Sequence, residues 1–296
     1  MLTLSVTHQL NAAATLKPLS RGAGDPCHHH AGDGAIWRAS RMPSGVVTYR
    51  IHQTDAHTVG VSAWGPGADE FLTTVPELLG EKDDPSSFRP HHPVLREAQH
   101  RAQGVRICRT GRVMEALVPA ILEQRVHGIA ARASWRRLVR QFGTPAPGPA
   151  PRPMWCPPET WRWVPSWEFH KAGVDPRRAK TIIHAARRGE QLEQLTDPEV
   201  ALAYLQNIPG VGVWTAAETA QRAFGHADAL SVGDFHLAAM IGWTLLGRPL
   251  DDDAMVEYLA PLRPHRYRAV LLLGASGLAY KPKFGPRTPI MDHRGH

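Results

Sequence analysis

The chain has 296 residues, room for two or three domains and a sizeable core. Its composition is that of an ordinary globular protein, which excludes a disordered or fibrous chain, and no apolar run approaches the roughly 18 residues that span a bilayer. The net charge of +7 is uneven: Arg101 to Arg188 holds 17 Lys/Arg against 5 Asp/Glu, so the remainder sums to −5. A basic block in an otherwise acidic chain points to an anionic partner, nucleic acid first, or to an arginine-rich solvated surface.

Three scattered cysteines, Cys27, Cys108 and Cys156, give neither CxxC spacing nor the four thiolates of an iron–sulfur cluster. They suit a reducing compartment, and with no leader-like start the expectation is an intracellular, cytoplasmic protein. In chain order, residues 1–107 read as a mixed α/β unit. Residues 45–53 and 57–65 alternate as strands between turn residues, and 71–80 and 92–104 read as short helices. Cys27-His28-His29-His30 and His91-His92 raise a metal site, but neighbouring histidines point apart, so an exposed loop is the plainer reading. From 108 to 280 the pattern is helical. Residues 113–126 and 129–143 carry apolar residues at helical spacing, the second run ending at Gly143 as a C-cap. Seven prolines in 143–158 read as a linker. Pro176 and Asp197-Pro198 open further helices. Residues 281–296 read as a basic flexible tail.

The chemistry lies in Leu202 to Gly242. A helix ends near Leu205, Ile208-Pro209-Gly210-Val211-Gly212 is too glycine-rich to continue it, and a second helix starts near Val213. Two helices joined by such a hairpin leave backbone N–H groups free at a helix N-terminus, a device for holding phosphate. A structural helix–helix turn is the alternative. About 20 residues on, Asp234 stands before an apolar helical run, the place of a carboxylate N-cap or of a carboxylate held rigidly beside a ligand.

The run Leu205 to Ala216 together with Asp234 resembles the helix-hairpin-helix–Gly/Pro–Asp superfamily of DNA glycosylases. Gly111–Gly143 and Phe169–Ala185 resemble the helices preceding the hairpin in the 3-methyladenine DNA glycosylase II branch, and the N-terminal region resembles that branch's β-rich domain. The resemblance spans about residues 30–280. It implies an α+β fold: a mostly helical glycosylase core, with the hairpin within 200–224, behind an N-terminal antiparallel β-rich domain.

The resemblance further implies base excision repair on double-stranded DNA by a monomer, with Asp234 as the catalytic carboxylate. Pro209, Gly210, Val211, Gly212 and Thr215 would grip the backbone, and the carbonyls of Gln206, Ile208 and Val211 would hold a monovalent Na+ or K+. Arg125 would fill the gap left by the flipped nucleotide, or touch phosphate only. Gln124 would meet the opposite or flipped base, and Trp214, Glu218 and Gly274 would complete the base pocket. Strand-cutting relatives carry a Lys where this chain has Trp214, so no Schiff base can form there and a monofunctional enzyme is expected. Trp214 offers a flat face to an electron-poor alkylated base, or is simply a core tryptophan. Glu218 and Gly274 stand where the branch has aromatic residues. That departure, with Gly128, suggests a roomier pocket and leaves the lesion open. A related glycosylase for another lesion, a non-catalytic hairpin DNA-binding protein and an unrelated enzyme with a chance hairpin are the competing readings.

Overall fold

A computed structural model describes residues 2–283; the tail expected over 281–296 lies, from residue 284 on, outside the described residues. The N-terminal part is built on five strands: β1 (Leu2–Ser5), β2 (His28–His30), β3 (Ile36–Met42), β4 (Gly45–Gln53) and β5 (Thr58–Trp64). They form one antiparallel sheet in the order β1-β5-β4-β3-β2. Alternation along β4 and β5 turns Val47, Tyr49, Ile51, Val59 and Val61 inward. The short helix α1 (Ala12–Leu16) and α2 (Ala68–Leu78) cover this face, and Phe71 of α2 stacks on Tyr49 at 3.9 Å between ring centroids.

The opposite face of the sheet is covered as well. The proline-rich stretch expected as a linker pairs two short strands, β6 (Thr144–Pro145) and β7 (Trp155–Cys156). It packs Met154 and Cys156 onto Ala35, Trp37 and Ala39. Prolines are tolerated there because such a short edge ladder demands few N–H donors.

The helical part begins with α3 (Pro93–Arg101). Its Leu95 and Ala98 join the cluster of the last helices, not the sheet, so the unit expected to close at 107 already contributes to the other core. Next comes α4 (Val113–Leu122), buried along most of its length against α5 (Gly128–Phe142), α7 (Pro176–Ala186) and α8 (Gly189–Glu193), with α6 (Ser166–Lys171) packed on α5 and α7. Helices α9 (Pro198–Gln206) and α10 (Val213–Ala223) form the hairpin, α10 lying against α4. Finally α11 (Leu237–Leu246), α12 (Asp252–Leu259) and α13 (Arg266–Ser276) build the third cluster. Sequence-local caps set several of these starts. Asp175 accepts from the N–H groups of Arg177 and Arg178 ahead of α7, and Asp197 from Val200 N–H ahead of α9, with Pro176 and Pro198 at the first helical positions. The architecture is α+β: helical bundle plus antiparallel sheet.

Candidate active site

Asp234 sits in the turn between α10 and α11, where Gly233 takes φ +87° and lets the chain reverse before the helix. Its two carboxylate oxygens have separate tasks. Oδ1 accepts the backbone N–H groups of His236 at 2.8 Å and Leu237 at 3.0 Å, supplying the first turn of α11. Oδ2 accepts Trp214 Nε1–H at 3.1 Å. His236 is the N-cap of α11 and its side chain makes no capping bond, so Asp234 fixes the turn that leads into the helix and lines the site as well. A carboxylate holding two backbone donors and an indole donor is fixed in direction, which is the preorganisation that charge stabilisation requires.

This carboxylate lines a cavity of about 230 Å³ formed by α10, the 230–237 turn, α11 and α13. Leu230, Leu237, Met240, Val270 and Tyr267 give apolar and aromatic walls, and Glu218, Gln221 and Ser231 a polar floor. Tyr267 is 8% exposed, and burial pushes its hydroxyl far above the ordinary phenol value, so it presents a neutral ring. Glu218 Oε1 accepts Ser231 Oγ–H at 2.6 Å, and Oε2 pairs with Arg222 Nη1 at 2.8 Å. Ser231 Oγ in turn accepts from Gln221 Nε2 at 2.9 Å.

Of the expected pocket residues, Asp234 and Glu218 line this cavity. Trp214 is not among the lining residues; it is half-buried and reaches the site through its indole N–H on Asp234. Gly274 is exposed, one turn beyond Val270 on α13, and a Cβ there would meet nothing within 4 Å. Gly128 opens α5 and is not among the lining residues. Gln124 is a correction: its amide is not at the cavity but donates to Gly210 O at 3.0 Å and Thr215 Oγ1 at 2.9 Å. A glutamine next to the hairpin finds two free acceptors there, and tertiary proximity rather than helix phase decides its direction. Sequence reasoning missed Tyr267, Ser231, Gln221 and His236. The signal for Tyr267 was its position seven residues before Gly274, on the same helical face.

The hairpin has the expected shape. Gly210 takes φ +90°, and a Cβ on it would come within 2.1 Å of Thr181 Oγ1 on α7. Gly212 precedes α10 with no side chain capping the helix, and a Cβ on it would meet nothing within 4 Å. The first N–H groups of α10 lack intrahelical acceptors, as at every helix start. Pro209, Gly210 and Gly212 are exposed, whereas Val211 and Thr215 are buried. Ile208 O already accepts Val211 N–H at 2.9 Å, and a carbonyl has a second lone pair to offer.

Arg125, exposed in the turn between α4 and α5, has φ +53°, the sole non-glycine residue with positive φ among the described residues. The turn is held from beneath: the buried Arg178 donates from Nη1 to Leu122 O at 2.6 Å, and Gln124 ties it to the hairpin. Gln124 thus links the turn that carries Arg125 to the glycine hairpin. Next to Asp234, Phe235 projects with 87% of its surface exposed, and Lys281 Nζ lies 5.3 Å over its ring.

The histidine run is strand β2, with His28 buried, and not the exposed loop expected. His28 and His30, on one face of β2, meet Nε2 to Nε2 at 3.0 Å, and Arg38 Nη1 donates to His28 Nδ1 at 3.0 Å. Burial first, then Arg38, holds His28 down to about 2, so the ring is neutral. His92 caps α3 through Nδ1. No group of three or more His, Cys, Asp or Glu able to hold a metal occurs among the described residues, and no helix among them is long and apolar enough to cross a membrane.

No protein-family model matches the chain. In sequence it is similar to the probable bifunctional transcriptional activator/DNA repair enzyme AlkA of Mycobacterium tuberculosis, in strains CDC 1551 and H37Rv, at 32% identity over 79% of this chain. The chain spans about half the length, 48%, of these curated relatives. In fold it is similar to the 3-methyladenine DNA-glycosylase from Archaeoglobus fulgidus, with TM-score 0.76 and 18% identity over 93% of this chain and 98% of that one. It is also similar to the Clostridium acetobutylicum 8-oxoguanine glycosylase/lyase in complex with double-stranded DNA, with TM-score 0.67 and 13% identity over 94% of this chain and 98% of that one. In its fold, its glycine hairpin and the aspartate that follows, the chain is similar to the helix-hairpin-helix DNA glycosylases.

Proposed function

We propose that the protein is a monofunctional DNA glycosylase of the 3-methyladenine DNA glycosylase II branch, hydrolysing the N-glycosidic bond of alkylated purines flipped out of double-stranded DNA. The observation that carries this reading is the division of labour at Asp234. One oxygen holds the turn into α11, the other accepts from Trp214, and the residue lines a cavity on the scale of a single base. The relatives named as the DNA repair enzyme AlkA support the class.

A stacked base hides its glycosidic bond, so an enzyme that cuts that bond must first extrude the nucleotide from the duplex. Here Arg125 would occupy the vacated stack while the hairpin amides hold the backbone. In the pocket the C1′–N bond breaks, and its electron pair leaves with the base. A purine methylated at N3 or N7 leaves already neutralised and needs no added proton. The cation left on the sugar is stabilised by the Asp234 carboxylate; a water oxygen bonds to C1′ and gives up its proton to solvent. No amine stands at position 214, so the product is an abasic site on an intact strand. A Na+ or K+ on the carbonyls of Gln206, Ile208 and Val211 would stiffen the hairpin and takes no part in the chemistry.

The test is release of free bases from methylated duplex DNA. The wild type is expected to release alkylpurines, and Asp234→Asn to do so roughly 100-fold or more slowly, with duplex binding retained. Binding without release by the wild type would overturn the catalytic assignment for alkylpurines and favour another lesion, or a hairpin used only for grip.

A further inference from the structure

The cavity's apolar walls explain how a flat base is held, but not why its floor carries a charge. Glu218 sits one turn along α10 from Trp214 and lines the same cavity as Asp234. Its side chain is 15% exposed. A solvated helix residue would lie outside, and a merely structural ion pair has no need of a cavity. Two donors fix the carboxylate: Ser231 Oγ on Oε1 and Arg222 Nη1 on Oε2. The network behind them is closed as well. Gln221 Nε2 donates both to Ser231 Oγ and to Ala229 O at 2.8 Å, which orients the Ser231 hydroxyl proton toward Glu218. Arg222 is further anchored by its Nε on Pro18 O at 3.0 Å. A carboxylate has about four lone-pair sites, so two partners leave acceptor capacity facing the cavity.

We propose that Glu218 is a specificity-determining residue that reads the amino edge of the flipped purine, accepting from its N–H groups and favouring bases that carry positive charge. This rests on the glycosylase reading above and assigns its substrate class. An acceptor-only floor pairs with the exocyclic amine of an N3-alkylated adenine, or with the N–H pair of an N7-alkylated guanine. A base without N–H donors leaves the remaining acceptor sites of Glu218 without a partner, and a site built on such a hydrogen bond rejects the analogue lacking it. Where the branch uses aromatic stacking at this position, this chain would use charge and a hydrogen bond, with Tyr267 as the remaining ring.

The experiment compares single-turnover release of 3-methyladenine and of 1,N6-ethenoadenine, whose amine is consumed in the adduct, by wild type, Glu218→Gln and Ser231→Ala. The lost charge-assisted hydrogen bond predicts that Glu218→Gln slows 3-methyladenine release roughly 10- to 100-fold while ethenoadenine release is unchanged or faster. Ser231→Ala, which leaves the charge but frees its direction, is expected to change the ratio of the two rates in the same sense by a smaller factor. Equal losses on both substrates would overturn the proposal, since a damaged fold or a general catalytic role does not discriminate. Affinity for a duplex containing a tetrahydrofuran abasic analogue reads folding independently of base recognition. If the wild type releases neither base while binding that duplex, the glycosylase reading fails first, and the two failures stay distinguishable.

Discussion

At the scale of single residues, the site depends on groups doing two things at once. Asp234 holds the turn into α11 with one oxygen, accepts from Trp214 with the other and lines the cavity, so an amide in its place can keep the turn and lose the charge. Asn is therefore the informative substitution and Ala is not, because Ala would also remove the acceptor for the His236 and Leu237 N–H groups. Arg125 holds a left-handed backbone that side chains adopt at a cost of about 1–3 kcal/mol. Strain kept at an exposed turn, with Arg178 and Gln124 holding the turn in place, marks a side chain aimed rather than free. Arg125→Ala is expected to lower the single-turnover rate about 10-fold or more, because unstacking a base costs a few kcal/mol, while thermal stability changes little. The readout is 2-aminopurine fluorescence at the flipped position alongside the rate; unchanged flipping with weaker binding would make Arg125 a phosphate contact instead. The spacing of the sequence identified Asp234 and Glu218, but not Gln124's destination, which depends on a hairpin more than 80 residues away.

Among elements, the hairpin separates structural from ligand-facing glycine. Gly210 combines φ +90° with a Cβ position 2.1 Å from Thr181 Oγ1, so Gly210→Ala must displace α7 or the loop. A destabilisation of about 2 kcal/mol or more is expected, read as a lower urea midpoint. Gly212 has ordinary φ −96° and nothing near its Cβ position. Gly212→Ala should leave the midpoint within about 0.5 kcal/mol of wild type and weaken duplex binding, since the methyl stands where a phosphate would approach. Stable binding by Gly212→Ala would place the backbone contact elsewhere. Helix starts were legible because Asp175-Pro176 and Asp197-Pro198 carry their capping donors and acceptors locally. The ladder of β6 and β7 was not, since seven prolines in 16 residues argue against any regular element until the sheet's second face is seen to need cover.

Across the whole molecule, the basic block sorts into two groups. Arg125, Arg132, Arg137, Lys180 and Arg187 are exposed, whereas Arg178 is buried and spent on Leu122 O and Asp175. Formal charge thus overstates what an anionic ligand would feel. With about six phosphate contacts, the logarithm of duplex affinity should fall against the logarithm of salt with a slope near −5. Fluorescence anisotropy at several salt concentrations measures it, and a flat response would remove the basic block from the DNA face. The expected boundary at 107 also fails as a division of cores, because α3 packs with α11 to α13 rather than with the sheet.

The sequence alone determined what local rules govern: the glycine hairpin, the proline and aspartate helix starts, the alternating strands, and an aspartate about 20 residues after the hairpin. Each of these depends on neighbours within a few positions, through φ, capping or periodicity. The tertiary structure decided what depends on elements far apart in the chain. It brought Tyr267 of α13, Ser231 of the turn and Glu218 of α10 around one cavity, turned Trp214 edge-on to Asp234, and tied Gln124 to the hairpin. Side-chain destination is set by which surfaces pack, and packing couples residues that no local pattern relates.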